Sequence, residues 1–492
     1  MFIGRQAELK FLEDRYQSKR GEMIVLYGRQ RIGKTETLRE FCKDKPHIYF
    51  ACTQSIDKVQ LRNFSTRMFT QDLPQKAYIS EFASWDQAFQ AICDLPFGQA
   101  KKLVVIDEFP YLCQGNPSIP SILQNLWDQK LHAENVMIIL CGSAMSFMEK
   151  ELLAEKNPLY GRATGIYKME EMSFYDAIQF FPKYSPRDLV VAYAILGGIP
   201  HYLRQWDPDL SIPDNVKGHI LTKGCVLYSE VEFLLHQELR ESPIYNAILE
   251  AVALGNTRLS DISQKSLVEN TSKTSVYLKN LTDLGIVERE FSVDAKWKTQ
   301  ANRRRGLYRL RDHFFQFWYA FGFPNFSQLE DGDVEEVYQY VIEPNLDAFA
   351  SWAFEDICRD FVRGLQKQNA LPFRYHQMGR WMGKTTVRDS SAPSGLRTAE
   401  TEIDLLAVNR EGTAYLLGEC KWKKRPFSYG EYLDTLAKLS SLTKTASFHY
   451  ALFSGHGFDP KLSAEAAANP TRLKLYDLET IVSGKAEVWK ES

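Results

Sequence analysis

The feature that most constrains this chain is a short apolar run, residues 23–28 (MIVLYG), which leads directly into residues 28–35 (GRQRIGKT). The stretch that follows, ETLREFCK, has helical character. Strand, GxxxxGKT and helix in this order form the context in which a P-loop wraps a phosphate. An apolar strand of this kind is buried on both faces. The segment therefore predicts an α/β fold with a parallel sheet.

The loop itself predicts a site for ATP. Gly28 and Gly33 let the backbone approach a phosphate, and the N–H groups of the loop and helix start face the anion. Lys34 is expected to reach the β- and γ-phosphates, and the Thr35 hydroxyl to bind Mg²⁺. We expect ATP to contact the whole segment Gly28, Arg29, Gln30, Arg31, Ile32, Gly33, Lys34, Thr35 and Glu36.

Two further strand-like runs end in polar residues. Residues 101–108 (KKLVVIDE) end in Asp107 and Glu108, and residues 136–143 (VMIILCGS) end in Ser143. Ligands of open α/β sheets bind at this end of the strands. Asp107 is predicted to hold Mg²⁺ through water, and Glu108 to orient or deprotonate the attacking water. Ser143 either touches the γ-phosphate or its water, or only terminates a strand.

Length and composition limit the other possibilities. The 492 residues suggest roughly three domains. With a net charge of −2, the protein as a whole is not attracted electrostatically to DNA or to a membrane. The 8 cysteines are scattered singly, so a zinc site or disulfide framework is not expected. No apolar run approaches the roughly 20 residues needed to span a bilayer. The start of the chain does not read as a signal peptide. We expect a soluble cytoplasmic protein without a membrane partner.

These motifs resemble the AAA+ superfamily over about residues 1–240, and within it the archaeal and bacterial branch related to signal-transduction (STAND) ATPases. Residues 2–9 (FIGRQAEL) are similar to the box beside the adenine, with Gly4 and Arg5 at its core. Residues 196–203 (LGGIPHYL) are similar to the GxP signature of the lid through Gly198 and Pro200. The resemblance implies that these four residues contribute to nucleotide binding.

Two further segments extend this resemblance. Residues 142–145 (GSAM) match the sensor-1 position, and 157–165 (NPLYGRATG) resemble the arginine-bearing segment of the family. The resemblance implies that Arg162 is an arginine finger, which would stabilise charge on the transferring phosphoryl group. The alternative is a structural arginine in a glycine turn. A finger acting in trans would require a homo-oligomer, and the sequence leaves cis and trans open.

The middle of the chain has a helix-turn-helix pattern. Residues 244–255 show helical apolar spacing, 258–266 form a short second helix, and 271–290 predict a helix, a glycine stop and a strand. Residues 272–284 take the recognition position. The spacing of the aromatic residues in 313–323 favours core packing over a base-stacking platform.

The segment 291–312 predicts a basic β-hairpin that would act as a wing. Its charge suits phosphate contacts with DNA. Winged helices of this kind also pack on their own chain or on proteins, and the charge pattern favours DNA. The residues predicted to contact nucleic acid are Lys296, Lys298, Arg303, Arg304 and Arg305, with Arg309 and Arg311 in the same basic run.

The last part of the chain contains a second group of charged residues. Residues 402–408 (EIDLLAV) and 414–421 (AYLLGECK) predict a hairpin with a two-residue turn at Glu411–Gly412. This register sets Asp404 opposite Glu419, and it sets Glu402 opposite Lys421 on the same face. Asp404 and Glu419 are expected to bind Mg²⁺, and Lys421 to position a hydroxide for metal-assisted phosphodiester hydrolysis. A solvated face with a cross-strand salt bridge is the alternative.

Here the residues resemble the restriction-endonuclease-like PD-(D/E)xK nucleases, most closely the DUF234-type domain, over about 345–455. Asp404, Glu419 and Lys421 fit the motif, and Ile403 replaces its proline. The helix 352–362 is similar to the leading helix of the family. This implies that Glu355 is a further active-site acid, and the alternative is a helix-surface carboxylate. Residues 383–400 predict a flexible loop near the site.

These observations predict an order of domains and a function. The domains are an AAA+ P-loop ATPase core (1–185), a helical lid (186–240), a winged helix (241–312), an aromatic helical connector (313–344) and a nuclease-like domain (345–492). We expect an ATP-hydrolysing protein that engages DNA, with a Mg²⁺-dependent nuclease in its C-terminal domain. The alternative is a STAND-like switch whose C-terminal modules only bind nucleic acid or protein.

Overall fold

The computed structural model describes residues 2–239, 241–293, 306–388, 396–438, 446–486 and 488–489, with residues 384–388 and 396–399 described by their backbone alone. The chain divides into two compact units. The first contains Met1–Met172 and Ile199–His201, and the second contains Ser173–Gly198 and Tyr202–Ser492. In the described ranges every helix is too short or too polar to cross a bilayer.

The first unit is built on a parallel sheet with the strand order β2-β3-β4-β1-β5. Its strands are β1 Glu22–Tyr27, β2 His47–Ala51, β3 Lys102–Asp107, β4 Val136–Gly142 and β5 Gly165–Lys168. Its helices are α1 Gln6–Tyr16, α2 Lys34–Cys42, α3 Asp57–Met68, α4 Trp85–Gln90, α5 Phe109–Gly115, α6 Ile119–Gln129 and α7 Met145–Phe147. The parallel sheet predicted from the P-loop context is confirmed.

Both faces of this sheet are covered, as expected for apolar parallel strands. Met23 and Val25 of β1 pack in one core cluster, whereas Ile24 and Leu26 pack in the other. All residues of β1 and of β4 are buried. The alternation explains why these runs are continuously apolar, since every side chain meets a helix layer.

The second unit begins with helices and then alternates helices and strands. Its helices are α8 Phe174–Ala177, α9 Pro186–Leu196, α10 Pro200–Leu203 (which starts in the first unit), α11 Ile212–Asn215, α12 Glu230–Glu238, α13 Ser242–Ala253, α14 Leu259–Lys265, α15 Thr271–Asp283, α16 His313–Phe317, α17 Phe326–Asp331, α18 Val334–Val337, α19 Leu346–Lys367, α20 Tyr429–Lys438, α21 Pro460–Ala468 and α22 Leu478–Ser483. Its strands are β6 Val287–Glu290, β7 Leu307–Leu310, β8 Gln377–Arg388, β9 Leu396–Val408, β10 Ala414–Lys421, β11 Ser447–Ser454 and β12 Leu473–Asp477.

Short 3₁₀ and π turns extend or connect these helices in both units. The 3₁₀ turns are Pro74–Ala77, Ala91–Asp94, Leu131–Ala133, Ile178–Phe180, Phe323–Asn325 and Glu343–Asn345. The π turns are Met148–Leu152, Val216–Leu221, Trp318–Gly322 and Tyr338–Ile342.

The helices α13, α14 and α15 lie where the sequence predicts a helix-turn-helix. β6 is the strand predicted at the end of 271–290, and it pairs antiparallel with β7, which lies within the predicted hairpin segment 291–312. The Asn270 side chain caps α15 by accepting the Lys273 N–H at 2.9 Å. Leu278 and Leu281 of α15 are buried, whereas Val276 is exposed. Lys296, Lys298, Arg303, Arg304 and Arg305, which were predicted to contact nucleic acid, lie outside the described residues.

The aromatic segment after the hairpin is a core element. Phe314, Phe317, Trp318 and Phe321 are all buried. Their ring faces contact other side chains of the unit, including Phe349 of α19, whose centroid lies 5.6 Å from that of Phe317. Core packing, the expectation that the helical spacing favoured, is confirmed, and a base-stacking platform is not formed by these rings.

The C-terminal sheet has the strand order β12-β11-β10-β9-β8. The strands β10, β11 and β12 are parallel, while β9 pairs antiparallel with both β10 and β8. The pairs Leu417–Leu406 and Gly418–Leu405 have the predicted register of β9 with β10. The connection is longer than the predicted two-residue turn, because Asn409 and Ala414 close it through a backbone bond of 3.2 Å.

Residues 383–400 were predicted as a flexible loop, and this prediction is wrong for the described part. Strand β8 continues to Arg388, and β9 begins at Leu396. The two segments pair from Gly383–Thr401 to Arg388–Leu396. Threonine and valine in this segment favour the extended conformation, and cross-strand pairing uses the backbone groups that a loop would leave to water.

A pair of glycine substitutions tests this packing. A Cβ on Gly21, before β1, would lie 2.2 Å from the Leu131 carbonyl oxygen, whereas a Cβ on Gly364 of α19 would meet nothing within 4 Å. We expect Gly21→Ala to destabilise the first unit by about 1–3 kcal/mol. Gly364→Ala should be neutral or stabilise the helix by up to about 1 kcal/mol. Thermal unfolding curves check both, and equal shifts would contradict the structure.

Candidate functional site

The P-loop connects β1 to α2 with a backbone shaped for an anion. Gly33 has φ 88° and Arg31 has φ 69°, so the loop turns through left-handed positions before α2 begins at Lys34. A Cβ on Gly28 would lie 2.5 Å from the Met169 carbonyl oxygen, so only glycine fits there. The first N–H groups of an α-helix have no carbonyl partner within the helix, and those of α2 lie next to this loop, which favours a phosphate.

The Lys34 side chain lies within the arc of this loop. Its ammonium donates to the carbonyl oxygens of Gly28 at 2.9 Å and Arg29 at 2.8 Å. Burial lowers the pKa of Lys34, and the nearby carboxylates of Glu108 and Asp107 oppose that shift. A desolvated ammonium held by neutral carbonyls attracts an anion strongly, because its charge is little screened.

Asp107, at the end of β3, binds two hydroxyl groups. Its Oδ2 accepts from Thr35 Oγ1 at 2.9 Å and from the Tyr49 hydroxyl at 2.6 Å. The residues predicted to bind Mg²⁺ at this site, Thr35 and Asp107, are therefore adjacent. Burial first, and then Asp107, raises the pKa of Tyr49 far above its usual range. Tyr49 was not predicted, since it lies on β2 and reaches the site only through the pairing of β2 with β3.

Glu108 and Ser143 also meet, because β4 lies next to β3 in the sheet. Ser143 donates to Glu108 Oε2 from its hydroxyl at 2.9 Å and from its backbone N–H at 3.3 Å. Glu108 has φ 52°, a left-handed conformation that costs a non-glycine residue about 1–3 kcal/mol and is found at functional sites. The two hydrogen bonds fix the direction of its carboxylate.

Arg5 ties the N-terminal segment to the P-loop. Its buried guanidinium donates to the Ile32 carbonyl at 2.6 Å, the Glu170 carbonyl at 2.7 Å and the Glu8 carboxylate at 3.0 Å. Gly4 and Arg5 both have positive φ, which turns the chain toward the loop. In this structure Arg5 supports the backbone of the P-loop.

The other residues predicted to bind the nucleotide are Pro200, Gly198 and the remaining residues of the P-loop segment. Pro200 lies beside the P-loop, with its ring 3.6 Å from the Cβ position of Gly33, whereas Gly198 belongs to the second unit. Arg29 lies 3.8 Å from Glu171, and Glu36 pairs with Arg39 at 3.7 Å. Gln30 and Ile32 lie in the loop itself.

Arg162, the predicted arginine finger, is held on the surface of the first unit. Its guanidinium pairs with Asp128 of α6 at 2.9 Å and donates to the Tyr160 carbonyl at 3.2 Å. A role in catalysis would require this exposed pair to open, which costs little because a surface salt bridge contributes about 0–1 kcal/mol.

The second group of predicted site residues lies at β9 and β10. Glu419 is buried and accepts from Lys421 at 2.6 Å and from Lys438 of α20 at 2.7 Å and 2.9 Å. The Asp404 carboxylate accepts the Cys420 N–H at 2.9 Å. The observed pairs of β9 with β10 end at Gly418–Leu405, one step before the predicted pair of Asp404 with Glu419. Lys438 was not predicted, since nothing in its helix marks it.

Glu355 of α19 belongs to the same charged region. Burial and the charge of Asp404 raise the pKa of the Glu355 carboxyl to about 7, against the lowering effect of Arg380. Arg380 of β8 donates to Glu355 and, at 3.0 Å, to Glu402. Glu402 therefore pairs with Arg380, and Lys421 pairs with Glu419. The pairing of β8 with β9 shifts between Gly379 and Trp381, next to Asp404, which interrupts the strict alternation of faces.

Both sites offer oxygen ligands of the kind that Mg²⁺ prefers. At the P-loop these are Thr35 and Asp107, and at the second site Asp404 and Glu419. In the described ranges no three His, Cys, Asp or Glu side chains lie close enough together to bind a metal by themselves. Mg²⁺ needs one or two carboxylates when phosphate and water complete its shell, so both pairs fit it.

Comparisons with known proteins agree with the first site. Residues 2–206 match the family described as an ATPase domain predominantly from Archaea. Residues 318–432 match DUF234, described as archaeal and bacterial proteins of unknown function. The chain is 32% identical to protein MJECL04 of Methanocaldococcus jannaschii over 425 residues, which is 86% of this chain and 88% of that protein. The chain belongs to the same family as this protein. Its residues 2–206 form an ATPase domain, as its P-loop predicts.

Other similarities are shorter or weaker. An ATP-binding protein of the same organism is 42% identical over 45 residues, 9% of this chain and 76% of that protein. The Walker-type ATPase of Pyrococcus abyssi is 21% identical, with a TM-score of 0.47 over 65% of this chain and 96% of that one. The ORC2 protein of Aeropyrum pernix in ADPNP and ADP complexes is 14% identical, with a TM-score of 0.41 over 68% and 94%.

Removing one hydroxyl tests the geometry around Asp107. We expect Tyr49→Phe to lower the ATP hydrolysis rate several-fold with little change in nucleotide affinity, because Asp107 loses a hydrogen bond to a charged group, worth about 1.5–3 kcal/mol. The matched control is Tyr167→Phe, because Tyr167 packs on Phe11 in the same unit with centroids 4.9 Å apart. Steady-state phosphate release measures both variants. Equal rates for Tyr49→Phe and wild type would show that this contact has no part in the reaction.

Proposed function

We propose that the P-loop site hydrolyses ATP with Glu108 as the residue that orients and activates water. The observation that supports this role is the pair of hydrogen bonds from Ser143, which fix a carboxylate at the carboxyl end of β3. Ser143 would act as the sensor that links this carboxylate to the γ-phosphate. Asp107 and Thr35 would hold Mg²⁺, which neutralises phosphate charge when bound.

The remaining residues of this site bind and position the nucleotide. Lys34 would exchange its two carbonyl partners for oxygens of the β- and γ-phosphates, which leaves the ammonium better neutralised. The N–H groups of the segment Gly28–Thr35 would hold the phosphates, with Arg5 and Gly4 supporting the loop from behind. Pro200 would border the site beside Gly33, and Gly198 completes the GxP signature of the proposed lid. Arg162 would serve as an arginine finger in cis or from a second copy.

Separating binding from hydrolysis tests the role of Glu108. We expect Glu108→Gln to bind ATP with an affinity close to wild type and to lose hydrolysis by about a hundredfold or more, because general base catalysis contributes about 10²–10⁴ in rate. The hydrolysis rate of Ser143→Ala should lie between those of Glu108→Gln and wild type, since Glu108 stays in place but loses its hydroxyl donor. Nucleotide binding by fluorescence and phosphate release measure these effects. A Glu108→Gln protein with normal turnover would remove this residue from the mechanism.

We also propose that the second unit engages DNA and cleaves it with Mg²⁺ at Asp404, Glu419 and Lys421, assisted by Glu355. The observation that supports this is the meeting of a buried carboxylate and a lysine, Glu419 and Lys421, on a strand next to Asp404. Lys421 would position the attacking hydroxide, and Glu355, with its pKa near 7, could hold or release a proton. The metal, when bound, supplies Lewis-acid stabilisation of the phosphate.

The proposed division of the chain follows from the same reasoning. The ATPase core, lid, winged helix, connector and nuclease-like domain would occupy residues 1–185, 186–240, 241–312, 313–344 and 345–492. The winged helix would contact DNA through its basic wing, including Lys296, Lys298, Arg303, Arg304 and Arg305. Arg309 is an exception, because it is engaged with Glu288 and Asp356 inside the second unit.

One observation favours the alternative of an ATP-driven switch whose C-terminal domain only binds. Glu419 is already neutralised by two lysines, Lys421 and Lys438. A metal ion would have to displace one of them, whereas a binding site needs no metal. Under this alternative, ATP binding would change the state of the chain and strand cleavage would be absent.

Substituting two neighbouring lysines distinguishes the two functions. We expect Lys421→Ala to abolish Mg²⁺-dependent cleavage of plasmid DNA, because the proposed mechanism assigns the attacking hydroxide to Lys421, while Lys438 is engaged with both oxygens of Glu419. Lys423→Ala is the matched control, since Lys423 pairs with Glu431 at 2.7 Å on the protein surface and should leave cleavage unchanged. Cleavage by Lys421→Ala at the wild-type rate would contradict the nuclease assignment. No cleavage by wild type, with DNA binding retained, would favour the switch.

A further inference from the structure

The β6–β7 hairpin is connected to the C-terminal sheet by ion pairs that converge on Glu290. This carboxylate lies 3.8 Å from Arg380 of β8, 3.8 Å from Arg359 of α19 and 4.0 Å from Arg309 of β7. Its side chain is 15% exposed. Arginines from three elements therefore surround one hairpin carboxylate in a largely desolvated place, where charge pairs are strong.

The backbone reinforces this connection. The chain that leaves β6 runs beside β8, at the edge of the C-terminal sheet. Val293 donates its N–H to the Arg380 carbonyl at 2.8 Å, and Met382 donates its N–H to the Ser292 hydroxyl at 2.8 Å. A Cβ on Gly379 would lie 2.6 Å from Val293 Cγ2. The hairpin therefore fixes the position of β8 around Arg380.

Two of these arginines, Arg380 and Arg359, also contact residues of the proposed nuclease site. Arg380 donates to the Glu355 carboxylate, and Arg359 donates to the backbone carbonyl of Asp404 at 3.2 Å. Glu290 and Glu355 thus share Arg380, whose third acidic partner is Glu402. If Glu290 loses its charge, the guanidinium has fewer competing acids and interacts more strongly with Glu355.

We propose that Arg380 is a positioning residue for Glu355, and that Glu290 of the hairpin holds Arg380 in that position, so that the hairpin forms part of the support of the acidic site. The proposal deepens the nuclease function above and rests on it. Glu290, which lies outside the nuclease-like segment 345–492, then affects how strongly that site binds a divalent cation.

Mn²⁺ binding without nucleotide tests the proposal directly. An Asp107→Asn background removes the proposed metal carboxylate of the P-loop, and electron paramagnetic resonance of free Mn²⁺ gives the affinity of the remaining site. We expect Glu290→Gln to weaken this binding several-fold, because Arg380 then competes more strongly for Glu355. In the presence of Arg380→Gln, or of Glu355→Gln, the same substitution should have no further effect.

The matched control is Glu288→Gln, which removes the other hairpin carboxylate that binds Arg309. It should leave Mn²⁺ affinity unchanged even if it lowers the stability of the hairpin. Urea unfolding shows whether each variant is folded. A Glu290→Gln effect that persists in the Arg380→Gln background, or an equal effect of Glu288→Gln, would overturn the proposal.

A second readout separates this proposal from the nuclease function itself. If the protein with intact Asp404 and Glu419 binds no Mn²⁺, the proposed metal chemistry fails. The interaction of Glu290 and Glu355 through Arg380 can still be measured by unfolding. A double-mutant cycle of Glu290→Gln and Glu355→Gln should then show coupling that disappears with Arg380→Gln. Strict additivity of the two substitutions in the wild-type background would overturn the role of Arg380.

Discussion

The position of β4 between β1 and β3 is the constraint on which the nucleotide site depends. Because these strands are parallel, their carboxyl ends meet at one edge, where they deliver the P-loop, Ser143 and the acidic pair Asp107–Glu108. The bonds from Thr35 to Asp107 and from Ser143 to Glu108 follow from this order. Each carboxylate thus has a fixed direction before a nucleotide binds, which is how a site avoids reorganisation during the reaction.

The second unit places its charges differently. In its acidic site, Glu419 lies between two lysines. The Asp404 carboxylate accepts the backbone N–H of Cys420, and Glu355 pairs with an arginine that also contacts the hairpin. Breaking one partner of such a buried pair is costly, since it leaves the other charge unpaired. The network therefore stabilises one arrangement of α19, β8 and β10, and a metal would have to replace part of it.

Much of the first site could be predicted from sequence because its groups lie in continuous motifs on apolar strands. The P-loop, Asp107, Glu108 and Ser143 each follow a strand that the sequence shows. Tyr49, Lys438 and Arg380 could not be predicted, since they reach their sites only through strand pairing or helix packing. The register of β9 with β10 followed from the position of the turn around Glu411–Gly412, but the irregular pairing of β8 near Asp404 could not be predicted, because a bulge leaves no period in the sequence.

We propose that one chain carries an ATP-hydrolysing site and a separate Mg²⁺-dependent site for DNA. The most direct measurement is to incubate the purified protein with supercoiled, linear and single-stranded DNA, with and without ATP and Mg²⁺, and to follow phosphate release and strand cleavage in the same samples. We expect Mg²⁺-dependent phosphate release and cleavage of at least one of these DNAs. Cleavage that is absent from every sample, or phosphate release that is absent with ATP and Mg²⁺, would contradict the proposal.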